Sequence, residues 1–259
     1  MKIDVLTLFP EVFPALFSHS IVGRAYRAGL IELAAVDIRG YAQDRHRSVD
    51  APPYGGGPGM VMRVDVLARA ISDLRRADSR VVLLEPSGRP LTQEAVQRLA
   101  GYGHLVLVAG HYEGVDQRVE TLVDEEVSLG DFILSGGEAA AWAVIDAISR
   151  CLPGVISPDS LAEESFSQSG LLEAPQYTRP RQFAGLAVPE VLLSGDHQAV
   201  ASWRRREALR RTWRRRPDLL GQAALSPVEQ VWIQEFEQAA VQADQPEGSD
   251  QGGHQDSGH

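Results

Sequence analysis

At 259 residues the chain is long enough for one large domain or two modest ones, and its 44% hydrophobic content is that of an ordinary globular protein. Its formal net charge of -10 excludes a uniformly basic nucleic-acid binder, and the body stays acidic when the four acids of the polar tail are set aside, so any RNA contact must come from a local patch. The single cysteine, Cys151, rules out an intrachain disulfide and a multi-cysteine zinc site, while the single lysine, Lys2, rules out a G-x-x-x-x-G-K-[ST] phosphate loop.

Along the chain, the amino terminus alternates apolar with polar residues and lacks the continuous apolar stretch of a signal peptide. No window approaches the roughly 18 apolar residues of a membrane span, so a cytoplasmic protein without a membrane partner is expected. Short apolar runs bounded by turn residues predict strands over Ile3–Phe9, Ile31–Ile38, Arg80–Glu85 and Leu105–Ala109. Helical periodicity fits Asp65–Ala77, Thr92–Leu99 and Glu138–Leu152. Strands alternating with helices define an α/β domain over residues 1–156, around a mostly parallel sheet. Residues 157–182 are polar, hold three prolines and show neither period, which reads as an interdomain linker. A small all-helical domain is expected over 183–243. Asp196 can cap a helix through Arg215 that Pro217 would stop, and Ser226-Pro227-Val228-Glu229 is a capping box. Residues 244–259 lack an apolar anchor and are expected to be disordered.

Four loops could carry chemistry. In Pro52–Met60 the run Gly55, Gly56, Gly57, followed by Gly59, carries an entropic cost that a simple connection would not require, so a close approach to this backbone is expected; a tight surface turn is the plainer alternative. Arg45 and Asp50 place both signs of charge beside it, which suits phosphate and base-edge contacts as well as an ordinary solvated loop. Glu85–Arg89 and Gly110–Gly114 follow predicted strands, where ligands of α/β sheets sit. Ser128–Glu138 runs into a helix, and its glycine pairs expose backbone amides. None of these is the dinucleotide fingerprint G-x-G-x-x-G. His111-x-Glu113 matches half of a zinc deaminase signature, but one cysteine cannot supply the C-x-x-C half.

Five strings occur in order: DRHRSVDAPPYGGGPGM, GHYEGVDQRVE, SLGDFILSGGE, LLEAPQYTRP and VLLSGDHQAVASWRRREALRRTWRRRPDLL. In this combination the chain resembles the bacterial tRNA (guanine-N1)-methyltransferase family, of the SPOUT class, from about Lys2 to Leu220. The resemblance implies a parallel sheet tied in a deep trefoil knot, an exception to the rule that chains do not thread loops. It implies S-adenosylmethionine bound among the last three of the four candidate loops, each of which bears glycine, and methyl transfer to N1 of the guanine at tRNA position 37, 3′ of the anticodon. By position the cofactor would meet Leu84 and Pro86, then Gly110, Tyr112 and Glu113, then Ser128, Leu129, Gly130, Asp131, Phe132, Ile133, Leu134, Gly136 and Gly137. Also implied are a homodimer whose active sites are shared between subunits, and a magnesium ion (Mg2+) that Glu113 helps to place, with its other ligands unassigned.

Guanine N1 carries a proton, so a base must remove it as the nitrogen attacks the methyl group, and a cation should stabilise charge developing on O6. The positions that match the family are Glu164 as base and Arg150 as cation. Glu164 stands where the family usually has the shorter aspartate, and His111 where some members have arginine. Asp159 and Glu163 are neighbouring acids that leave the base open. Between residues 203 and 216, eight arginines accompany one acid, Glu207. Arg204, Arg211 and Arg215 share one helical face and, with Arg45, Asp50 and the glycine loop, are the expected tRNA contacts. Trp203 and Trp213 are expected in a small core. The competing class is a non-catalytic RNA-binding protein whose glycine loops are only turns. Binding of S-adenosylmethionine without RNA separates the two.

Overall fold

A computed structural model of the chain describes residues 1–167 and 169–243. The tail from residue 244, expected to be disordered, lies outside the described residues. By internal contact the chain divides into a first unit, Met1–Leu161, and a second that begins at Ala162.

The first unit runs through β1 (Lys2–Thr7), α1 (Phe13–Phe17), α2 (Ser20–Arg27), β2 (Glu32–Asp37), β3 (Asp50–Ala51) and β4 (Val61–Met62). It continues with α3 (Val64–Leu74), β5 (Ser79–Pro90), α4 (Gln93–Ala100), β6 (His104–Ala109), β7 (Glu125–Ser128) and α5 (Glu138–Cys151); α6 (Pro158–Glu163) follows at the boundary. Five strands pair in parallel in the order β2-β1-β6-β5-β7, and β3 and β4 form a separate antiparallel hairpin. Crossover helices cover both faces of a parallel sheet, which is why β6, His-Leu-Val-Leu-Val-Ala, is buried along its whole length. Alternate residues divide between two cores. Leu105 and Leu107 join Ile3, Val5, Val144 and Ile148 on one face, and Val106 and Val108 join Leu6, Leu67 and Ile71 on the other. At the amino ends of the strands, buried Asp4 is satisfied by His104 Nε2 at 2.9 Å and Lys2 Nζ at 3.1 Å, so the chain's single lysine offsets a buried carboxylate.

Two predicted boundaries move by three residues or more. The helix expected to reach Ala77 ends at Leu74, where Arg75 turns out to donate to the Leu122 carbonyl at 2.8 Å. The strand expected to end at Glu85 continues to Pro90: its register breaks between Leu84 and Arg89, then Arg89 and Pro90 pair with β7 again. The expected loop is therefore a bulge lying against β7. Glycine is required there, since a Cβ on Gly88 would come within 2.5 Å of Val127 N.

In the second unit the hairpin β8 (Gln182–Phe183) and β9 (Leu186–Ala187) precedes α7 (His197–Arg215), α8 (Pro217–Leu220) and α9 (Pro227–Ala243). Asp196 accepts from Gln198 N and Ala199 N at 3.0 Å each, capping α7 as expected. Pro217 ends α7 and also opens α8. The capping box closes, with Ser226 N donating to Glu229 Oε2 at 2.7 Å and Glu229 N to Ser226 Oγ at 3.4 Å. Leu209, Phe236 and Trp213 form a small core that also takes in Leu171. Residues 157–182 are thus less irregular than their composition implies: they contain α6, Leu171 is buried, and Leu172 N donates to Thr212 Oγ1 at 3.0 Å. Among the described residues no helix is long and apolar enough to cross a membrane.

Candidate active site

The carboxyl ends of β5, β6 and β7 open onto a cavity of about 380 Å³, a size suited to a small ligand. Leu84, Pro86, Gly110, Tyr112 and Glu113 line it, with Ser128, Leu129 and Gly130, then Phe132, Ile133, Leu134, Gly136 and Gly137. Every position that the resemblance set around the cofactor is therefore brought to this one cavity except Asp131, which is exposed and not part of the lining. Ala140 also lines it and was missed. It lies within the first turn of α5, and its place on the cavity side follows from helix orientation, which residue type does not reveal.

Close backbone contacts hold the three loops together. Gly137 N donates to the Gly110 carbonyl at 2.7 Å, and a Cβ on Gly137 would stand 2.7 Å from Ala109 Cα, so the amino end of α5 abuts β6 with no room for a side chain. The glycine loop belongs to the β3–β4 hairpin and is joined to the cavity by main-chain bonds, Glu113 N to Met60 O and Met62 N to Gly114 O, both 3.0 Å. Within the chain little approaches the backbone of Gly55, Gly56 and Gly57, which leaves it open to a substrate. A Cβ on Gly55 or Gly56 would meet nothing within 4 Å, and one on Gly57 only Pro53 at 4.0 Å. Their φ of 87°, 78° and 125° demand glycine on conformational grounds alone. The close approach within the chain is at Gly59, where a Cβ would lie 2.5 Å from Glu113 Oε1.

Arg45 is exposed beside this loop. The turn is organised by Asp44, whose carboxyl is held below its ordinary range chiefly by the backbone hydrogen bond from Ser48. Asp50 opens β3 and is half-buried. Burial, with the charge of Asp50 added, raises the Tyr112 phenol above its usual value. Tyr112 also adopts a φ of 61°, uncommon for a non-glycine residue and a mark of a constrained loop.

The lining carries Glu85 and Glu113 but no arginine or lysine. Such a cavity is poorly suited to a phosphate and well suited to a ligand bearing positive charge. Exposed Phe132, Ile133 and Leu134 offer apolar surface beside glycine-rich backbone that can read polar edges. His111 Nδ1 is buried and, among the described residues, has no hydrogen-bond partner; Glu138 Oε2 stands 3.9 Å away and Glu138 Oε1 accepts from Thr7 Oγ1 at 2.8 Å. A buried polar atom left in this state is one that a ligand can satisfy.

Arg150 and Glu164 do not line the cavity. Arg150 lies in the last turn of α5, ten residues beyond Ala140 and so about 15 Å along the helix. Glu164 belongs to the second unit, just after α6, and its carbonyl accepts from Ser167 N at 3.2 Å. Glu163 Oε2 stands 3.7 Å from Arg204 Nη1, and the side chain of Asp159 lies outside the described residues. For magnesium, the described group of three possible ligands is Glu85, Glu120 and Glu126, which does not include Glu113.

The arginine-rich α7 is more neutralised than its sequence implies. Arg205 pairs with Glu229, Arg206 with Glu235 at 2.8 Å, Arg210 with Glu207 at 2.6 Å and Arg216 with Asp218 at 2.7 Å. Arg211 donates to the Glu173 carbonyl at 3.5 Å. Among the described residues Arg214 and Arg215 are exposed without an acidic partner. Trp213 lies in the small core as expected, whereas Trp203 is outside it and meets Tyr177 at 6.2 Å between ring centroids.

A parallel sheet with a cation-favouring, backbone-lined cavity at the ends of three strands defines an α/β protein whose cavity suits a small molecule and carries no phosphate-directed cation. Comparison with known proteins narrows this class. The family described as tRNA (Guanine-1)-methyltransferase TrmD matches residues 1–222, and the chain belongs to that family. A tRNA (guanine-N(1)-)-methyltransferase of Syntrophotalea carbinolica is 50% identical over 248 residues, covering 95% of this chain and 100% of the relative. That of Chloroflexus aurantiacus is 54% identical over 232 residues, 88% of this chain and 91% of the relative. That of Thermomicrobium roseum is 47% identical over 266 residues, 97% and 99% respectively.

Proposed function

We propose that this chain is an enzyme that transfers the methyl group of S-adenosylmethionine to N1 of guanine 37 in tRNA. The observation that carries the reading is the cavity where three glycine-bearing loops converge, acidic and free of arginine and lysine, in a member of the tRNA (guanine-1)-methyltransferase family. S-adenosylmethionine supplies an electrophilic methyl group on a positively charged sulfur. Leu84, Pro86, Leu129 and Phe132 cover its apolar faces, the backbone of Gly110, Gly130 and Gly137 meets its polar edges, and Glu85 and Glu113 favour its charge. Glu164 would accept the N1 proton as the N1–carbon bond forms and the sulfur–methyl bond breaks, the electron pair staying on the sulfur of the departing S-adenosylhomocysteine, and Arg150 would stabilise negative charge on O6.

Two features support a site shared between subunits of a homodimer. Arg150 is about 15 Å along α5 from the cavity of its own chain, and exposed Phe132 and Ile133 leave apolar surface open. The family to which the chain belongs implies a trefoil knot formed by the loops around the cavity, and the close backbone packing at Gly88 and Gly137, with no room for a Cβ, is compatible with it. The tRNA-facing groups are Arg45, Asp50 and the glycine loop in the first unit, with Arg204, Arg211 and Arg215 on α7. Residues 1–156, 157–182 and 183–243 act as cofactor domain, linker and tRNA-binding domain, in the cytoplasm where the substrate is. Nothing in the described geometry around Glu113 marks a magnesium site. The test is calorimetry with S-adenosylmethionine and no RNA, followed by mass spectrometry of an unmodified tRNA pool. Saturable binding and 1-methylguanine at position 37 are expected; no binding overturns the reading.

A further inference from the structure

The second unit holds another cavity, of about 450 Å³, of which the methyl-transfer reading uses Arg204 alone. Half-buried Val188, Leu192 and Val200 line it together with exposed Tyr177, Arg179 and Arg204. The Tyr177 ring is placed by Trp203, 6.2 Å away between centroids and inclined at 55°, yet Tyr177 remains 48% exposed. The arginines differ in their partners. Arg181, also in the lining, donates to both oxygens of Glu190 at 2.9 Å, and Arg204 is 3.7 Å from Glu163. Arg179 has no acidic partner among the described residues, in a protein whose net charge is -10.

An aromatic ring held at an apolar hollow beside an uncompensated guanidinium matches the two faces of a nucleotide. The ring stacks on the base, and the guanidinium takes the phosphate in a bidentate fork. Only an unpaired, splayed-out base can enter such a hollow, because a duplex hides its base faces. Chemistry on a guanine requires that guanine to leave its stack, which frees its neighbours as well. From this we infer that the cavity takes one unpaired nucleotide of the tRNA, base on Tyr177 and phosphate on Arg179. The inference rests on the reading of the chain as a tRNA methyltransferase, and names a contact that fixes which loop is presented to it.

The experiment uses the full chain and an unmodified tRNA transcript carrying 2-aminopurine at each unpaired anticodon-loop position in turn. At one position, fluorescence in the wild-type complex should be quenched relative to the Tyr177→Ala complex, and Tyr177→Phe should behave as wild type. Tyr177→Ala should weaken tRNA binding about ten- to a hundredfold. Arg179→Ala should lower the slope of log K against log salt by about 0.7, whereas Arg181→Ala, already paired, should change it less. Calorimetric binding of S-adenosylmethionine should be the same in all variants. Equal fluorescence at every position, with tRNA affinity unchanged in Tyr177→Ala and Arg179→Ala, overturns the inference, as does a change in sedimentation that shows the hollow holds another protein surface. Wild-type protein that binds neither S-adenosylmethionine nor tRNA would instead remove the enzyme reading itself. Arg179 is exposed and unpaired, so its variant remains informative if Tyr177→Ala fails to fold.

Discussion

Glycines 56 and 59 lie three residues apart in one loop with the same φ of 78°, and differ only in what stands beside them. Alanine at either position is strained by about 1–2 kcal/mol. At Gly59 the new methyl group also lands on the Glu113 carboxylate, which lines the cavity. Gly56→Ala should therefore lower thermal stability and tRNA affinity while keeping S-adenosylmethionine affinity and the single-turnover rate at saturating tRNA, and Gly59→Ala should lose S-adenosylmethionine affinity and rate together. Equal rates in the two variants would remove the link between loop and cavity. Glu164 is tested at the same scale. General base catalysis contributes roughly 10²- to 10⁴-fold, so Glu164→Gln should lose about that much in single turnover with little change in tRNA or cofactor affinity. Glu164→Asp, the residue usual in the family, should keep most of the rate. A collapse in Glu163→Gln with Glu164→Gln unaffected would move the base by one residue and would also break the ion pair to Arg204.

Elements were legible where local chemistry decides them. The caps at Asp196 and Ser226, the runs of β1 and β6 and the start of α5 all stand where the sequence places them, because each depends on residues within one turn or one strand. What was not legible depends on distant partners. The bulge at Gly88 is set by β7, some forty residues on, and the neutralisation of α7 is set by Glu229 and Glu235 of α9. In the site, the residues lining the cavity could be named, whereas the reason for the glycine run and the separation of Arg150 from the cavity needed coordinates. The link between α7 and α9 gives a pH test. Burial pushes the Glu229 carboxyl up, but Arg205 and the Ser226 amide outweigh it and hold it below its ordinary 4.5. A depressed carboxyl stabilises the fold above its unfolded pKa and loses that contribution as pH falls through its folded value. Glu229→Gln should thus lower the Tm near pH 7, and the gap should close as pH falls below about 4.5. A gap that persists undiminished at pH 3 would show the loss to be one of packing.

At the scale of the whole molecule, the question is whether one chain can complete its own site. The cavity lies at the amino end of α5 and Arg150 at its carboxyl end, a separation that suits assembly from two chains. Mixing two inactive variants decides it. Ala140→Leu keeps helix propensity but fills the cavity from α5, so it should abolish S-adenosylmethionine binding without unfolding the chain. Glu164→Gln leaves the cavity intact and removes the base. In a dimer with shared sites, a mixed pair has one site with both defects and one with an intact cavity and an intact base. Unfolding and refolding an equal mixture should then recover about a quarter of wild-type activity, since about half the dimers are mixed and each carries one working site. If every site is built within one chain, each site keeps one defect or the other and the mixture stays inactive. Recovery near a quarter, absent from either variant refolded alone, would also exclude residual activity of a single variant as its source.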